Sequence, residues 1–148
     1  MTGSFEVGSV EETWGVAKRF AADLAPGDVV CLEGDLGAGK TTFTQGLAAA
    51  MGVEGHVTSP TFCLVQEHRV PGRSAAGSVP MLVHMDLYRL SGEDDVVAIG
   101  WEDYLADGAV LVVEWPDRAG ALVPSGAYHV RITRMGDADE SRRIDISF

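Results

Sequence analysis

The chain contains, between an apolar run and a helix-like segment, the stretch Gly34-Asp35-Leu36-Gly37-Ala38-Gly39-Lys40-Thr41, which matches the pattern G-x-x-x-x-G-K-[ST]. The run at 28–33 predicts a buried strand, and the apolar stripe through 42–51 predicts a helix that ends at Gly52. Glycines let the backbone curl so that its N–H groups converge, and a helix N-terminus adds partial positive charge there. This pattern predicts a nucleoside triphosphate site. The residues expected at the phosphates are Gly37, Ala38, Gly39, Lys40, Thr41 and Thr42, with the Thr41 hydroxyl on magnesium.

Composition and net charge indicate the number of domains and the kind of partner. The 148 residues are 46% hydrophobic, which fits a single domain over 1–148 that folds without disulfides or a structural metal. The formal net charge of −11 repels a nucleic-acid backbone, so we expect a protein partner and no independent tight binding of nucleic acid.

Cysteine usage and the N-terminal segment predict a cytoplasmic protein. Cys31 and Cys63 lie in apolar runs and form no C-x-x-C pair, so both are expected to be buried thiols of a reducing compartment. The first twenty residues lack the basic start of a secretory signal, and no stretch approaches eighteen apolar residues. We therefore expect a protein with no membrane association.

The remaining periodicities predict the other elements of an α/β fold. Ser9 and Glu12 predict a capping box that makes a helix the first element, and residues 91–105 are expected to form a further helix capped by Ser91. Residues 62–70, 81–85 and 109–113 are expected strands, and 128–133 with 143–148 alternate as a C-terminal β-hairpin. The side chains expected to face inward from the two helices include Trp14, Ala17, Phe20, Ala21, Leu24, Val96, Val97 and Leu105. We predict a P-loop NTPase-like three-layer α/β/α fold with a mixed, mainly parallel sheet.

Two carboxylates follow predicted buried strands. Asp86 ends the strand at 81–85 and Glu114 ends the strand at 109–113. Nucleotide hydrolysis needs an acidic residue near magnesium and a group that places the attacking water. We assign Glu114 to magnesium and Asp86 to the water, with His84 on the same strand face as Asp86. The reverse assignment of the two carboxylates stays open at this point.

Two further features are candidates for a switch or a partner contact. Thr58-Ser59-Pro60-Thr61 follows the predicted phosphate-loop helix, where hydroxyls could close over a terminal phosphate; an ordinary turn is the alternative. Trp115 directly follows Glu114, and it could pack in the core or face a partner or the nucleotide.

These motifs together resemble the TsaE (formerly YjeE) family. The matching stretches lie within residues 34–116 and, in chain order, are the phosphate-loop sequence through Thr42, Thr58-Ser59-Pro60-Thr61-Phe62, His84-Met85-Asp86-Leu87-Tyr88-Arg89 and Val113-Glu114-Trp115-Pro116. The C-terminal hairpin carries no family signature.

The resemblance implies a Mg²⁺-dependent ATPase that joins two partners, TsaB and TsaD. Those partners transfer threonylcarbamoyl from its adenylate to adenosine 37 of tRNAs that read codons beginning with A, so tRNA would be reached only through the complex. The roles implied for catalytic residues fall on Asp86, Lys40 and Glu114, and those for magnesium ligands on Thr41 and Glu114. Thr13 is implied near the nucleoside, and Thr58, Ser59, Thr61 and Trp115 at a switch or partner surface.

Two other functions fit the same loop. A small-molecule kinase would need cationic side chains on a lid, and the loop at 71–79 offers only Arg73 with Arg69 beside it. A nucleotide-gated adaptor would use ATP binding to order residues 58–62, and its hydrolysis would be incidental.

Overall fold

The computed structural model describes residues 1–35, 37–55, 57–58, 64–71, 79–136 and 140–148. The strands are β1 (Gly3–Val7), β2 (Val29–Glu33), β3 (Val65–Arg69), β4 (Met81–Asp86), β5 (Val110–Glu114), β6 (Tyr128–Arg134) and β7 (Arg142–Ser147). The helices are α1 (Val10–Ala21), α2 (Lys40–Ala50), α3 (Glu93–Ala98) and α4 (Trp101–Ala106), and a 3₁₀ segment covers Pro116–Leu122.

The strands form one sheet in the order β1-β7-β6-β2-β5-β4-β3. Its centre is parallel, with β2 between β6 and β5 and with β4 beside β5. The pairs β1–β7, β6–β7 and β3–β4 are antiparallel. The mixed α/β fold and the C-terminal hairpin are confirmed, whereas parallel pairing is confined to the sheet centre in the described residues. Because β2, β4 and β5 run in one direction, the loop after β2 and the two strand-end carboxylates lie at the same sheet edge.

Helices cover both faces of this sheet, which gives the three layers predicted. On one face, α1 and α2 bury Phe20 and Phe43 against strand residues such as Val30. On the other face, α3, α4 and the 3₁₀ segment pack against the sheet, with Trp101 in the same apolar cluster as Cys31. Val30 and Cys31 are neighbours in sequence but belong to opposite layers, as the alternation of side chains along a strand requires.

The N-terminal part of the chain differs from the prediction in two ways. The first element is β1, not a helix; it is a short edge strand on β7 with mostly exposed residues, so its apolar pattern is weak. Ser9 caps α1 as predicted, because its hydroxyl accepts a hydrogen bond from the Glu12 amide at 3.1 Å. The Glu12 carboxylate accepts from the Gly8 amide at 2.8 Å, one residue earlier than in a capping box. Trp14, however, is 42% exposed, so its predicted inward orientation is wrong.

The helix predicted over 91–105 is divided into α3 and α4. Gly100 separates them with a φ of 102°, a left-handed conformation that ends α3. Gly92 rather than Ser91 is the N-cap of α3, and the Ser91 amide instead donates to the Asp95 carboxylate at 2.9 Å. Within α3, Val96 is buried whereas Val97 is 41% exposed, so the predicted inward orientation of Val97 is wrong.

Cys31 is fully buried and unpaired, as expected from its position in an apolar strand. Cys63 lies outside the described residues. None of the helices in the described ranges has the length and apolarity needed to cross a membrane.

Candidate nucleotide-binding site

The candidate phosphate-binding stretch, residues 34–41, joins β2 to α2, and we call it the phosphate loop. Its described residues are 34, 35 and 37–41. Gly34, Gly37 and Gly39 have φ values of 157°, 79° and 112°, which favour glycine over residues with a Cβ. The Ala38 amide donates to the Asp35 carbonyl at 2.9 Å and closes a turn within the loop. The glycines predicted to curl the backbone are therefore the positions where the backbone needs them.

Helix α2 begins at Lys40, inside this loop, and the amides of its first turn have no acceptor within the helix. The first hydrogen bond of the helix runs from the Phe43 amide to the Gly39 carbonyl at 2.9 Å, so the amides of Lys40, Thr41 and Thr42 precede the first donor within the helix. The N-cap residue is Gly39, which has no side chain to satisfy these amides. An anion at this point would gain both the N–H donors and the positive end of the helix dipole.

Glu114 lies at the carboxyl end of β5 and contacts α2 and β4. Its Oε1 lies 3.3 Å from the Lys40 ammonium nitrogen, and its Oε2 lies 2.7 Å from His84 Nε2. His84 is fully buried and Glu114 is 6% exposed, so the pair is shielded from water. The phosphate-loop lysine, the β5 carboxylate and the β4 histidine therefore form one contiguous polar cluster, which we call the Glu114 cluster.

The charge of Glu114 follows from these contacts. Burial is the largest single influence and acts to raise the pKa of Glu114. The hydrogen bond and charge of His84, together with Lys40, outweigh burial and lower the pKa of Glu114 below its ordinary value. An ionised Glu114 accepts hydrogen bonds only, so His84 Nε2 carries the proton in this contact.

Asp86 lies beside this cluster at the end of β4. It is 8% exposed and is the Cα partner of Glu114 in the parallel register. Adjacent strands are roughly 4.8 Å apart, so the two carboxylates lie side by side at the carboxyl ends of β4 and β5. Asp86 Oδ1 accepts a hydrogen bond from the Tyr88 amide at 3.0 Å, and the Asp86 amide donates to the Leu64 carbonyl at 2.8 Å. These two bonds fix the orientation of Asp86.

Trp115 follows the cluster in an unusual conformation. Its φ of 57° and ψ of 55° are left-handed, an uncommon and strained choice for a bulky residue. The side chain is 45% exposed, and its ring centroid lies 4.9 Å from that of Tyr88. Trp115 also lines a cleft shared with Gly34 and Lys40. Core packing, one of the two alternatives for Trp115, is therefore wrong.

Comparison with protein families places the chain in a known group. The family described as "Threonylcarbamoyl adenosine biosynthesis protein TsaE" matches residues 7–144. The chain belongs to the TsaE family. The chain is 42% identical to the tRNA threonylcarbamoyladenosine biosynthesis protein TsaE of Bacillus subtilis, over 86% of this chain and 75% of the relative. It is also 42% identical to the protein of that name from Streptomyces coelicolor, over 89% of this chain and 87% of the relative.

A solved structure supports the TsaE fold assignment. The crystal structure of Bacillus subtilis YdiB superposes with a TM-score of 0.76 and 34% sequence identity, covering 99% of this chain and 84% of that one. The family resemblance drawn from the four motifs is thus confirmed, as is the α/β fold.

The other residues expected at a TsaE site are dispersed or lie outside the described ranges. The Thr13 hydroxyl donates to the Ser9 carbonyl at 3.2 Å within α1, so its described contact is local. Thr58 is exposed and accepts a hydrogen bond from the Gln66 amide group at 3.0 Å. Ser59 and Thr61 lie outside the described residues, so the role suggested for their segment stays a prediction.

One residue at the TsaE phosphate loop was missed by the sequence analysis. Arg142 at the start of β7 donates from Nε to the Ala38 carbonyl at 2.7 Å and from Nη2 to the Gly37 carbonyl at 3.3 Å. No local pattern marks it, because in sequence it is one of two adjacent arginines at the start of an alternating strand. Its contact with the loop spans 104 residues.

Proposed function

We propose that this chain binds and hydrolyses ATP with Mg²⁺ as a subunit of the complex that makes tRNA threonylcarbamoyladenosine, and that it supports turnover of the transferase partners. Membership of the TsaE family supports the pathway. The single observation that carries the ATPase proposal is the Glu114 cluster, in which Lys40 and an ionised carboxylate meet 3.3 Å apart at the uncapped start of α2.

The phosphate loop supplies the groups that a triphosphate needs. The amides at the start of α2 donate to phosphate oxygens, and Lys40 adds a charge-assisted contact. In the described state the Lys40 ammonium is held by Glu114. On nucleotide binding we expect Lys40 to exchange this carboxylate for phosphate oxygens, while His84 keeps Glu114 ionised and oriented through its bond to Oε2.

The donor set also fits magnesium. The described residues contain no cluster of three or more His, Cys, Asp or Glu side chains that could enclose a metal. Mg²⁺ commonly binds through one or two protein oxygens together with substrate phosphates and waters, so a site of that kind needs no such cluster. The residues that would hold it are Thr41 and Glu114. When bound, the ion neutralises charge on the outer phosphates.

Asp86 is the residue assigned to the attacking water. It is a buried carboxylate next to Glu114 in the register, and its Oδ1 is held by the Tyr88 amide. A fixed carboxylate can accept a proton from water or orient it for attack on the terminal phosphate. The assignment of Glu114 rather than Asp86 to magnesium rests on the contact of Glu114 with Lys40.

The partner proposal follows the family likeness and the exposed chemistry. We expect TsaD-like and TsaB-like subunits to install threonylcarbamoyl on adenosine 37 of tRNA in the cytoplasm. This chain would support their turnover and would reach tRNA only through them. The net charge of −11 favours protein partners over direct RNA binding. Trp115 and Tyr88 present an exposed aromatic pair beside the site, and Thr58, Ser59 and Thr61 are the suggested nucleotide-sensing segment.

The test is Mg²⁺-dependent release of inorganic phosphate from ATP, measured with and without the two partner subunits. We expect slow release by the isolated chain and faster release with the partners. The Asp86→Asn variant should bind ATP and release little phosphate. Phosphate appearing on a small-molecule acceptor would indicate a kinase, and full tRNA modification by Asp86→Asn without hydrolysis would indicate an adaptor.

A further inference from the structure

We propose that Arg142 is a positioning residue that holds the phosphate loop in its phosphate-binding conformation from outside the loop. The inference rests on the proposed function, because it assigns a role within the same ATP site. It concerns the C-terminal hairpin, β6 and β7, which carries no motif of the nucleotide-binding pattern.

The sheet topology brings Arg142 to the phosphate loop. Strand β6 is parallel to β2, so β6 ends at the sheet edge where the loop leaves β2. Strand β7 is antiparallel to β6 and therefore begins at that edge, where Arg142 is the Cα partner of Arg134. A long side chain at the first position of β7 can thus reach across β6 to the loop.

Arg142 contacts the loop through its carbonyl oxygens. Its Nε donates to the Ala38 carbonyl and its Nη2 to the Gly37 carbonyl, so one rigid guanidinium grips two successive peptide groups. In a trans peptide the C=O and N–H point in opposite directions. Holding the Ala38 carbonyl towards Arg142 therefore turns the Gly39 amide away from the hairpin. The hydrogen bond from Nη2 to the Gly37 carbonyl restrains the peptide group between Gly37 and Ala38. The amide of that peptide group donates to the Asp35 carbonyl.

The backbone of the hairpin also packs against the phosphate loop. A Cβ on Gly34 would lie 2.7 Å from the Ile132 carbonyl oxygen of β6. A Cβ on Gly39 would lie 3.9 Å from both Arg142 Nε and Ile132 Cγ2. The loop is thus supported at both ends by the hairpin.

The test compares Arg142→Ala and Arg142→Lys with the control Arg143→Ala, which removes an exposed arginine of the same strand that pairs with Asp145. Calorimetry would measure the affinity for MgATP and for magnesium tripolyphosphate, which has no base. We expect Arg142→Ala to weaken both ligands about tenfold, the scale of one charge-assisted hydrogen bond. The lysine variant should fall between, since one ammonium cannot reproduce the two-point grip, and Arg143→Ala should stay within about twofold of wild type.

A spectroscopic readout separates positioning from general stability. Without nucleotide, the ¹⁵N–¹H resonance of Gly39 should move in both Arg142 variants and stay in place in Arg143→Ala. If Arg142→Ala does not fold, Arg142→Lys decides the question by the same two readouts. Unchanged tripolyphosphate affinity in the Arg142 variants, or an unmoved Gly39 resonance, would overturn the proposal while leaving the ATPase function intact. A wild-type chain that binds neither ligand would instead remove the proposed function, and the role of Arg142 with it.

Discussion

Replacing Gly34 by alanine should destabilise the protein, because the first residue of the phosphate loop has no room for a side chain. The new Cβ would lie 2.7 Å from the Ile132 carbonyl oxygen and 3.3 Å from the Ala38 Cβ. The nearer atom belongs to the backbone of β6 and cannot move aside without disturbing the sheet. Gly34 also has a φ of 157°, which an alanine adopts only with strain.

The two costs can be combined into an expected magnitude. Forcing extra atoms into a packed site costs about 1–3 kcal/mol, and an unfavourable backbone conformation adds about 1 kcal/mol or more. We expect the free energy of unfolding to fall by about 2–4 kcal/mol, which for a chain of this size lowers the Tm by roughly 5–15 °C. MgATP affinity should fall as well, because the displaced residue begins the phosphate loop.

The assay is urea-induced unfolding followed by circular dichroism, without nucleotide. Gly126→Ala is the matched control, since no atom lies within 4 Å of its added Cβ. The control should leave stability unchanged or raise it by up to about 1 kcal/mol through the unfolded chain. If Gly34→Ala proved as stable as Gly126→Ala, the close packing of the hairpin on the loop would be refuted.

Three further predictions concern other parts of the molecule. Gly15→Ala should stabilise α1 by about 0.5–1 kcal/mol. Gly46→Ala should instead lower the Tm, because its Cβ would lie 2.8 Å from the Trp14 ring of α1. An equal change of Tm in the two variants would contradict this prediction. Burial, aided by a neighbouring carboxylate, raises the pKa of Cys31 to about 11, so in a Cys63→Ser variant the native protein should resist Ellman's reagent at pH 8 until denaturant is added. On raising the pH, the Cys31 thiol of the unfolded chain ionises before that of the native chain, so the free energy of unfolding should fall as the pH rises above about 9. Rapid labelling of the native chain would refute the burial of Cys31. Lys40→Ala should weaken MgATP binding by about tenfold or more, and an affinity within twofold of wild type by calorimetry would count against the site.

Local patterns predicted much of the fold and the phosphate loop. The loop, its feeding strand and α2 are adjacent in sequence, so glycine spacing and apolar periodicity were sufficient to place them. The same holds for Glu114, because a continuous apolar run predicts a buried strand that ends where the run ends.

The features that were missed depend on contacts distant in sequence or on single backbone angles. The bond between His84 and Glu114 joins residues 30 positions apart, and only the sheet order brings them together. Edge strand β1 has little apolar pattern because few of its residues are buried. The break at Gly100 and the left-handed Trp115 are each set by one φ value that periodicity does not report.

Every role proposed above depends on the binding of a magnesium-bound nucleoside triphosphate at the phosphate loop. Isothermal calorimetry of MgATP with the wild-type chain, alone and with the proposed partner subunits, tests this binding. We expect one saturable site per chain that is weakened in Lys40→Ala. Absence of binding heat from the wild-type chain in both settings would contradict it.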